Sequence, residues 1–127
     1  MNPEKNPSLT DTKISATPEL VAVIDIGASS LRMQISEINR TDHQIRKLES
    51  FSQAVSVGKD SFTKHHITKK TTEYCVRVLK IYRSKLIEYG ITNHENIRVI
   101  ATSGVREATN GIAFTDRIFS ATGFAIE

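Results

Sequence analysis

The sequence has no tryptophan and only one cysteine, and these shortages exclude several kinds of protein. Cys75 alone cannot form an internal disulfide, so we expect a reducing, cytoplasmic location. With so few aromatic residues, a stacking platform for single-stranded nucleic acid is not expected. No apolar run approaches the roughly 20 residues that cross a bilayer, and we therefore expect no membrane partner.

The excess of positive over negative charge is also small, because 17 Lys and Arg are balanced by 14 Asp and Glu, which leaves a net charge of +3. This slight excess suits a polyanionic substrate. It gives no case for nucleic acid, because no basic run is interleaved with aromatics. The 127 residues suffice for one domain. Residues 1–18 are polar and contain all three prolines, which predicts a disordered tail before a domain over 19–127.

The hydrophobic pattern of the domain predicts alternating strands and helices. The predicted elements are strands over about 20–26, 31–38 and 44–57, a helix over 69–89, a strand over 97–101, a short helix capped by Ser103, a helix over 110–121 and a fifth strand over 124–127. The first three strands should form an antiparallel meander, and the fourth should pair parallel to the first. Gly58-Lys59-Asp60 reads as a loop, in which Lys59 is a solvated lysine within reach of a phosphate.

A buried strand, Val21–Ile24, ends in Asp25 and is followed by a turn of small residues, Gly27 to Ser30. Such a turn exposes backbone N–H groups with little steric bulk, which suits a phosphate. The neighbouring carboxylate would repel a phosphate unless a divalent cation or a water lies between them. The alternative is a plain hairpin with Asp25 as a turn former.

The second strand-to-turn stretch runs from Ile97 to Asn110. Its strand ends at two hydroxyl residues, Thr102 and Ser103, and Arg106 follows on the short helix. Two such turns in one small domain can converge on a single anion, with the arginine supplying charge and a rigid fork of N–H donors.

Together the two stretches resemble the Ppx/GppA family of exopolyphosphatases and guanosine pentaphosphate phosphohydrolases. The family's Asp-x-Gly-Ser-Asn-Ser is similar to Asp25-Ile-Gly-Ala-Ser-Ser30, and its Ala-Thr-Ser-Ala-x-Arg-Glu-Ala-x-Asn is similar to Ala101-Thr-Ser-Gly-Val-Arg-Glu-Ala-Thr-Asn110. The resemblance implies an α/β lobe of ribonuclease H-like fold, as in the actin, sugar-kinase and heat-shock chaperone superfamily. Its mixed sheet would follow the order β-β-β-α-β-α-β and be cut short in the fifth strand.

The resemblance also implies a chemistry, the hydrolysis of a terminal phosphoanhydride bond of polyphosphate or guanosine pentaphosphate (pppGpp) with magnesium or another divalent cation. Carried over, Asp25 takes the metal role, and Glu107 and Asn110 secure the local helix geometry. The implied phosphate-binding residues are Gly27, Ser30, Thr102, Ser103 and Arg106.

The chain departs from the family at Ala28, Ser29 and Gly104, where the family has Ser, Asn and Ala. The family's general base lies in a motif expected beyond Glu127, so no catalytic residue is assigned here. We therefore expect an incomplete N-terminal lobe that pairs with a second lobe of a longer chain, is inactive alone, and belongs to an enzyme that could be a homodimer. Two alternatives stay open, a non-catalytic phosphate or alarmone regulator of the same fold and the lobe of a sugar-kinase-like ATPase.

Overall fold

The computed structural model describes residues 17–127, and most of the predicted N-terminal tail lies outside them. The elements are β1 (Glu19–Ile26), β2 (Ser30–Asn39), β3 (Gln44–Ala54), α1 (Val57–Lys64), α2 (Lys69–Glu88), a 3₁₀ turn (His94–Asn96), β4 (Ile97–Ala101), α3 (Ser103–Glu107) and α4 (Gly111–Thr122). None of the helices in this part of the chain is long and apolar enough to cross a membrane.

The four described strands form one mixed sheet in the order β3-β2-β1-β4. β1 pairs antiparallel with β2, and β2 with β3, which confirms the predicted meander. β4 pairs parallel with β1, with Ile24 opposite Val99, because the chain crosses over the sheet through α2. The C-terminal ends of β1 and β4 therefore lie side by side.

The core lies on one face of the sheet, beneath α2 and α4. Residues in a strand alternate between faces, so Ala22, Ile24 and Ile26 are buried while Val23 is 44% exposed. The apolar stripe of α2 packs on this face, and its Tyr82 hydroxyl donates to the Leu31 carbonyl at 2.8 Å. Within the helical layer, α4 contributes its buried residues Phe114 and Ile118.

Cys75 is fully buried in the apolar stripe of α2. Burial, with a smaller contribution from the Asp60 charge, raises the pKa of its thiol to about 12. A thiol that stays protonated is a poor nucleophile and metal ligand, so this cysteine is a core residue.

The predicted loop at Gly58-Lys59-Asp60 is wrong, because these residues lie in the eight-residue helix α1, and β3 ends at Ala54 instead of Val57. Because Val57 is the one buried apolar residue of α1, the sequence shows no helical repeat of apolar residues from which this helix could be predicted. It is fixed instead by Asp60, whose Oδ2 accepts from the Thr68 amide at 3.0 Å and the Thr68 hydroxyl at 2.9 Å.

Capping residues fix the ends of α2 and α4. Thr68 caps α2 by accepting from the Thr71 amide at 3.1 Å, and Gly123 ends α4 with φ of 81°. Ser103 does not cap α3, because Thr102 holds the N-cap position, and the Thr102 side chain makes no capping bond. The predicted fifth strand is not formed by residues 124–127. This segment is joined to β4 by a backbone bond from the Glu127 amide to the Val99 carbonyl at 2.9 Å and by an ion pair between the Glu127 carboxylate and Arg98 at 2.5 Å.

Candidate functional site

The two motifs meet where β1 and β4 end. The Gly27 amide donates to the Ser30 carbonyl at 2.9 Å and closes the β1–β2 turn. The Thr102 amide donates to the Ile26 carbonyl at 3.1 Å, which fixes the end of β4 beside the end of β1. The convergence predicted from the two strand-to-turn patterns is therefore present at the level of the backbone.

A third segment, the start of α1, joins the two turns. The Gly58 amide donates to the Ala28 carbonyl at 2.8 Å. A Cβ added to Gly58 would lie 2.6 Å from the Ala28 Cβ, closer than two carbon atoms can approach. A Cβ on Gly104 would lie 3.9 Å from the Gly58 Cα, in ordinary contact. Glycine at 58 thus lets the start of α1 approach the β1–β2 turn, whereas position 104 has room for a Cβ.

These three stretches border an open cleft of about 430 Å³, which we call the neutral cleft. Its lining residues are Ala28, Gly58, Ser61, Phe62, His65, Thr102, Ser103, Gly104 and Glu107. The lining carries hydroxyl groups and exposed backbone, with one imidazole and one carboxylate as its ionisable groups. The cleft therefore offers hydrogen bonds, and little fixed positive charge, to a ligand.

Thr102 Oγ1 is the most informative atom of the neutral cleft. It is buried and has no hydrogen-bond partner among the described residues. A buried hydroxyl without a partner costs about 1–3 kcal/mol, so native proteins rarely leave one unpaired. A Cβ on Gly104 would lie 3.7 Å from this oxygen, in ordinary van der Waals contact, so position 104 packs directly beside it.

The remaining predicted phosphate residues are not all in the neutral cleft. Ser103 borders it with Thr102, whereas Gly27 and Ser30 lie in the adjoining turn and do not line it. The Ser30 hydroxyl accepts from Arg32 Nε at 3.2 Å. The amides of Ala28 and Ser29 make no hydrogen bond within residues 17–127, which leaves two N–H donors at the turn.

Asp25 lies on the sheet face away from the helices, opposite Arg32 on β2 and Ile100 on β4. No hydrogen bond or ion pair within residues 17–127 uses its half-buried carboxylate. In this part of the chain, no three His, Cys, Asp or Glu residues cluster as ligands for a metal ion. A single carboxylate fits Mg²⁺ only where phosphate oxygens and waters complete the coordination shell.

Arg106 follows Thr102 and Ser103 on α3 but does not line the neutral cleft. Its Nη1 donates to the Ala101 carbonyl at 3.2 Å, and the exposed side chain borders a neighbouring cleft of about 300 Å³ with Thr109 and Ile112. The guanidinium of Arg106 therefore lies beside the end of β4, at the residue before Thr102, and outside the neutral cleft.

Asn110 fastens the second motif to the rest of the site. Its Oδ1 accepts from the Ile67 amide at 2.9 Å, and its Nδ2 donates to the Ile67 carbonyl at 2.8 Å. The Thr109 amide adds a bond to the His65 carbonyl at 2.8 Å. The side chain therefore acts beyond its own helix, since it holds the α1–α2 connection against the start of α4.

The contribution of α1 to the site is what sequence reasoning missed. Gly58, Ser61, Phe62 and His65 all border the neutral cleft from this helix. The one available signal was Gly58, an isolated glycine that marks a close backbone approach. The bond from Asp60 to Thr68 is a tertiary contact that no local pattern encodes.

No protein-family model matches the sequence. The chain matches the crystal structure of the Aquifex aeolicus member of the Ppx/GppA family at 25% identity with a TM-score of 0.78, over 87% of this chain and 34% of that one. It matches an exopolyphosphatase from Cytophaga hutchinsonii at 28% identity with a TM-score of 0.76, over 86% of this chain and 33% of that one. A bifunctional 3-dehydroquinate synthase/phosphatase of Fusobacterium nucleatum is 30% identical over 110 residues, which are 84% of this chain and 16% of that protein.

These comparisons establish first the class, an α/β lobe of the actin-like fold with a mixed sheet. They then confirm the particular resemblance that the two motifs carried, to the Ppx/GppA family. The chain spans about a third of the length of the solved relatives.

Proposed function

We propose that this chain is the phosphate-binding lobe of an exopolyphosphatase or pppGpp phosphohydrolase that cleaves terminal phosphoanhydride bonds in the cytoplasm. The observation that carries the proposal is the buried, unpartnered Thr102 Oγ1 at the meeting point of the two motifs. A phosphate oxygen placed there would accept the hydrogen bond that this hydroxyl otherwise lacks.

Around that position the chain supplies other neutral donors. The Ser103 hydroxyl borders the same cleft, and the unused amides of Ala28 and Ser29 lie at the adjoining turn that Gly27 and Ser30 close. Consecutive backbone N–H groups in a turn form an anion-binding concavity. In this proposal the turn and the two hydroxyls hold one phosphate group.

Charge enters the proposal through two side chains outside the neutral cleft. Arg106 has one N–H bond to Ala101 and is otherwise exposed, so it is assigned to a phosphate group beyond the one in the cleft. Asp25 is assigned to Mg²⁺, which it would hold together with water and substrate oxygens. When bound, the cation neutralises charge on the phosphoryl oxygens.

The test is the binding of inorganic phosphate and tripolyphosphate, with and without magnesium, measured by calorimetry. Thr102→Val keeps the shape of the side chain and removes only the hydroxyl. If the hydroxyl donates to phosphate, affinity should fall about tenfold, since one hydrogen bond to a charged group is worth roughly 1.5–3 kcal/mol. Thr92→Val, an exposed change that borders neither the neutral cleft nor the cleft beside Arg106, is the matched control. Equal affinities for wild type and Thr102→Val would place the phosphate elsewhere.

Arg106 is tested in the same assay. Arg106→Lys keeps the charge and loses the bidentate fork, and Arg106→Ala should weaken binding further, by about 1.5–3 kcal/mol in total. Thermal melts accompany both variants, because the bond to Ala101 gives the side chain a structural role as well. A loss of binding that follows a loss of folding would assign Arg106 to structure alone.

A second candidate is a non-catalytic phosphate or alarmone binder of the same fold. Ala28 favours it, because the family has a hydroxyl at this position and here a methyl group packs against Gly58. Release of orthophosphate from polyphosphate or pppGpp separates the two functions. Phosphate binding that depends on Thr102, without hydrolysis by any longer protein that carries this lobe, would favour the binder.

A further inference from the structure

The face of α1 turned away from the neutral cleft borders a second cleft of about 440 Å³, which lies between α1 and α2. Four cationic side chains line it, and we call it the basic cleft after them: Lys59, Lys64, Lys70 and Arg77. Two come from α1 and two from α2. Among the described residues, none of the four makes an ion pair within 4.0 Å.

The single acid of the basic cleft offsets only one of these four charges. Asp60 is 5% exposed, and its Oδ2 is already bonded to the amide and hydroxyl of Thr68. Four positive charges thus surround one buried negative charge. Like charges that converge without partners repel each other, so an arrangement of this kind is stabilised by an anion.

The geometry of α2 aims its charges into the same space. Lys70 and Arg77 are seven residues apart, which puts them on one face of a helix, and Tyr74 lies between them. The Arg77 guanidinium is 5.6 Å from the centre of the Tyr74 ring, and the Tyr74 hydroxyl accepts from Gln53 at 2.8 Å. These contacts hold the arginine fork in place before a ligand arrives.

We propose that the basic cleft binds an oligophosphate, a ligand with several adjoining phosphate groups. Four positive charges spread over two helices exceed what one phosphate needs, and lysine and arginine are the side chains that bind phosphate oxygens. A linear polyphosphate and the phosphate tail of a nucleotide share this chemistry. The one aromatic residue of the cleft, Tyr74, already faces Arg77, which argues against base stacking.

This second site does not depend on the proposed function. The neutral cleft and the basic cleft lie on opposite faces of α1, a helix whose diameter with side chains is about 10–12 Å. Loss of binding at one cleft should therefore leave binding at the other unchanged, so the two proposals can be tested separately.

The experiment titrates the 127-residue chain with tripolyphosphate and records backbone amide signals by NMR. We expect shifts at Lys64, Thr71 and neighbouring residues of the basic cleft, distinct from those at Thr102 and Gly104. The double variant Lys70→Gln/Arg77→Gln should lose at least about tenfold in affinity at the basic cleft. The matched control Lys80→Gln/Arg83→Gln removes the same charge from exposed positions of α2 and should change affinity by about twofold or less.

A comparison of the affinities for tripolyphosphate and GTP, measured in the same titration, identifies the source of the phosphate groups. Equal affinity for tripolyphosphate and GTP indicates that the phosphate chain alone is recognised, and tighter binding of GTP indicates a nucleotide. Three outcomes would overturn the proposal: no shifts in the basic cleft, equal losses in the two double variants, or tighter binding of a short single-stranded DNA than of tripolyphosphate.

Discussion

The two faces of α1 differ in how they are built. On the face toward the neutral cleft, Gly58 packs against Ala28 with no room for a Cβ. The face toward the basic cleft carries Lys59 and Lys64 around the buried Asp60. One face is therefore fixed by steric fit and the other by hydrogen bonds and charge. A helix of eight residues can separate the two proposed anion sites because each face depends on a different kind of interaction.

The largest expected effect is on the steric face. Gly58→Ala should destabilise the fold by about 1–3 kcal/mol, because the new Cβ meets the Ala28 Cβ at 2.6 Å and the backbone must shift. Urea unfolding measures the difference. Lys59→Ala, one residue along on the exposed face, should stay within about 0.5 kcal/mol of wild type. Equal stability of Gly58→Ala and wild type would mean that the three backbone stretches do not approach as closely as described.

On the charged face, Asp60→Ala should cost about 1–3 kcal/mol at neutral pH, because it leaves the Thr68 amide without its acceptor.

Burial alone raises the pKa of Asp60, but bonds from Thr71 and Thr68 and the nearby Lys64 charge outweigh it, and the pKa lies below the ordinary 3.8. Asp60 therefore stabilises the fold above about pH 4, and this contribution is lost as pH falls through the folded-state pKa. Unfolding from pH 2 to 7 should show a smaller rise in stability for Asp60→Asn than for wild type; parallel curves would contradict the assignment.

The same substitution, Thr to Val, at two positions compares a hydroxyl that makes hydrogen bonds with one that has no partner among the described residues. Thr122 Oγ1 donates to the Ile118 carbonyl at 2.7 Å and accepts from the Phe124 amide at 3.1 Å, so Thr122→Val should cost about 1–2 kcal/mol. Thr102→Val removes a hydroxyl without a partner and should leave stability unchanged or slightly higher. Thermal melts in phosphate-free buffer make the comparison. A clear loss for Thr102→Val would reveal a structural partner for that oxygen.

The smallest expected effect is at Gly104, where the family has alanine. Gly104→Ala should stabilise the fold by about 0.5–1 kcal/mol, since the new Cβ makes only ordinary contacts and alanine favours the helix. The converse change Ala113→Gly, at an exposed position of α4, should lose a similar amount. Phosphate affinity is measured alongside, because the added methyl partly covers Thr102 Oγ1. A destabilised Gly104→Ala would mean that the cleft is narrower than described.

The fold was largely predictable from the sequence because its main elements carry clear periods. The stripe of α2 repeats at helical spacing and β1 is a continuous apolar run, and both lie where predicted. The short helix α1 was missed because it is held by the hydrogen bonds of Asp60 and by the packing of Gly58 against Ala28. Neither contact produces a periodic pattern of apolar residues in the sequence.

The candidate site was predictable in its backbone and less so in its side chains. The sequence indicated that the two turns converge, and they do, since the Thr102 amide bonds to Ile26. It did not indicate which side chains share one cleft, and Asp25 and Arg106 do not line the neutral cleft that Thr102 borders. Residue type and spacing identify a turn, whereas the face that each side chain takes depends on packing.

The most direct test of the central claim is a crystal structure of the chain grown or soaked with phosphate. The account predicts an anion in the neutral cleft with an oxygen about 2.5–3.0 Å from Thr102 Oγ1, and a second bond from the amide of Ala28 or Ser29. An ordered water satisfying Thr102 Oγ1, with no anion in the neutral cleft at saturating phosphate, would contradict it.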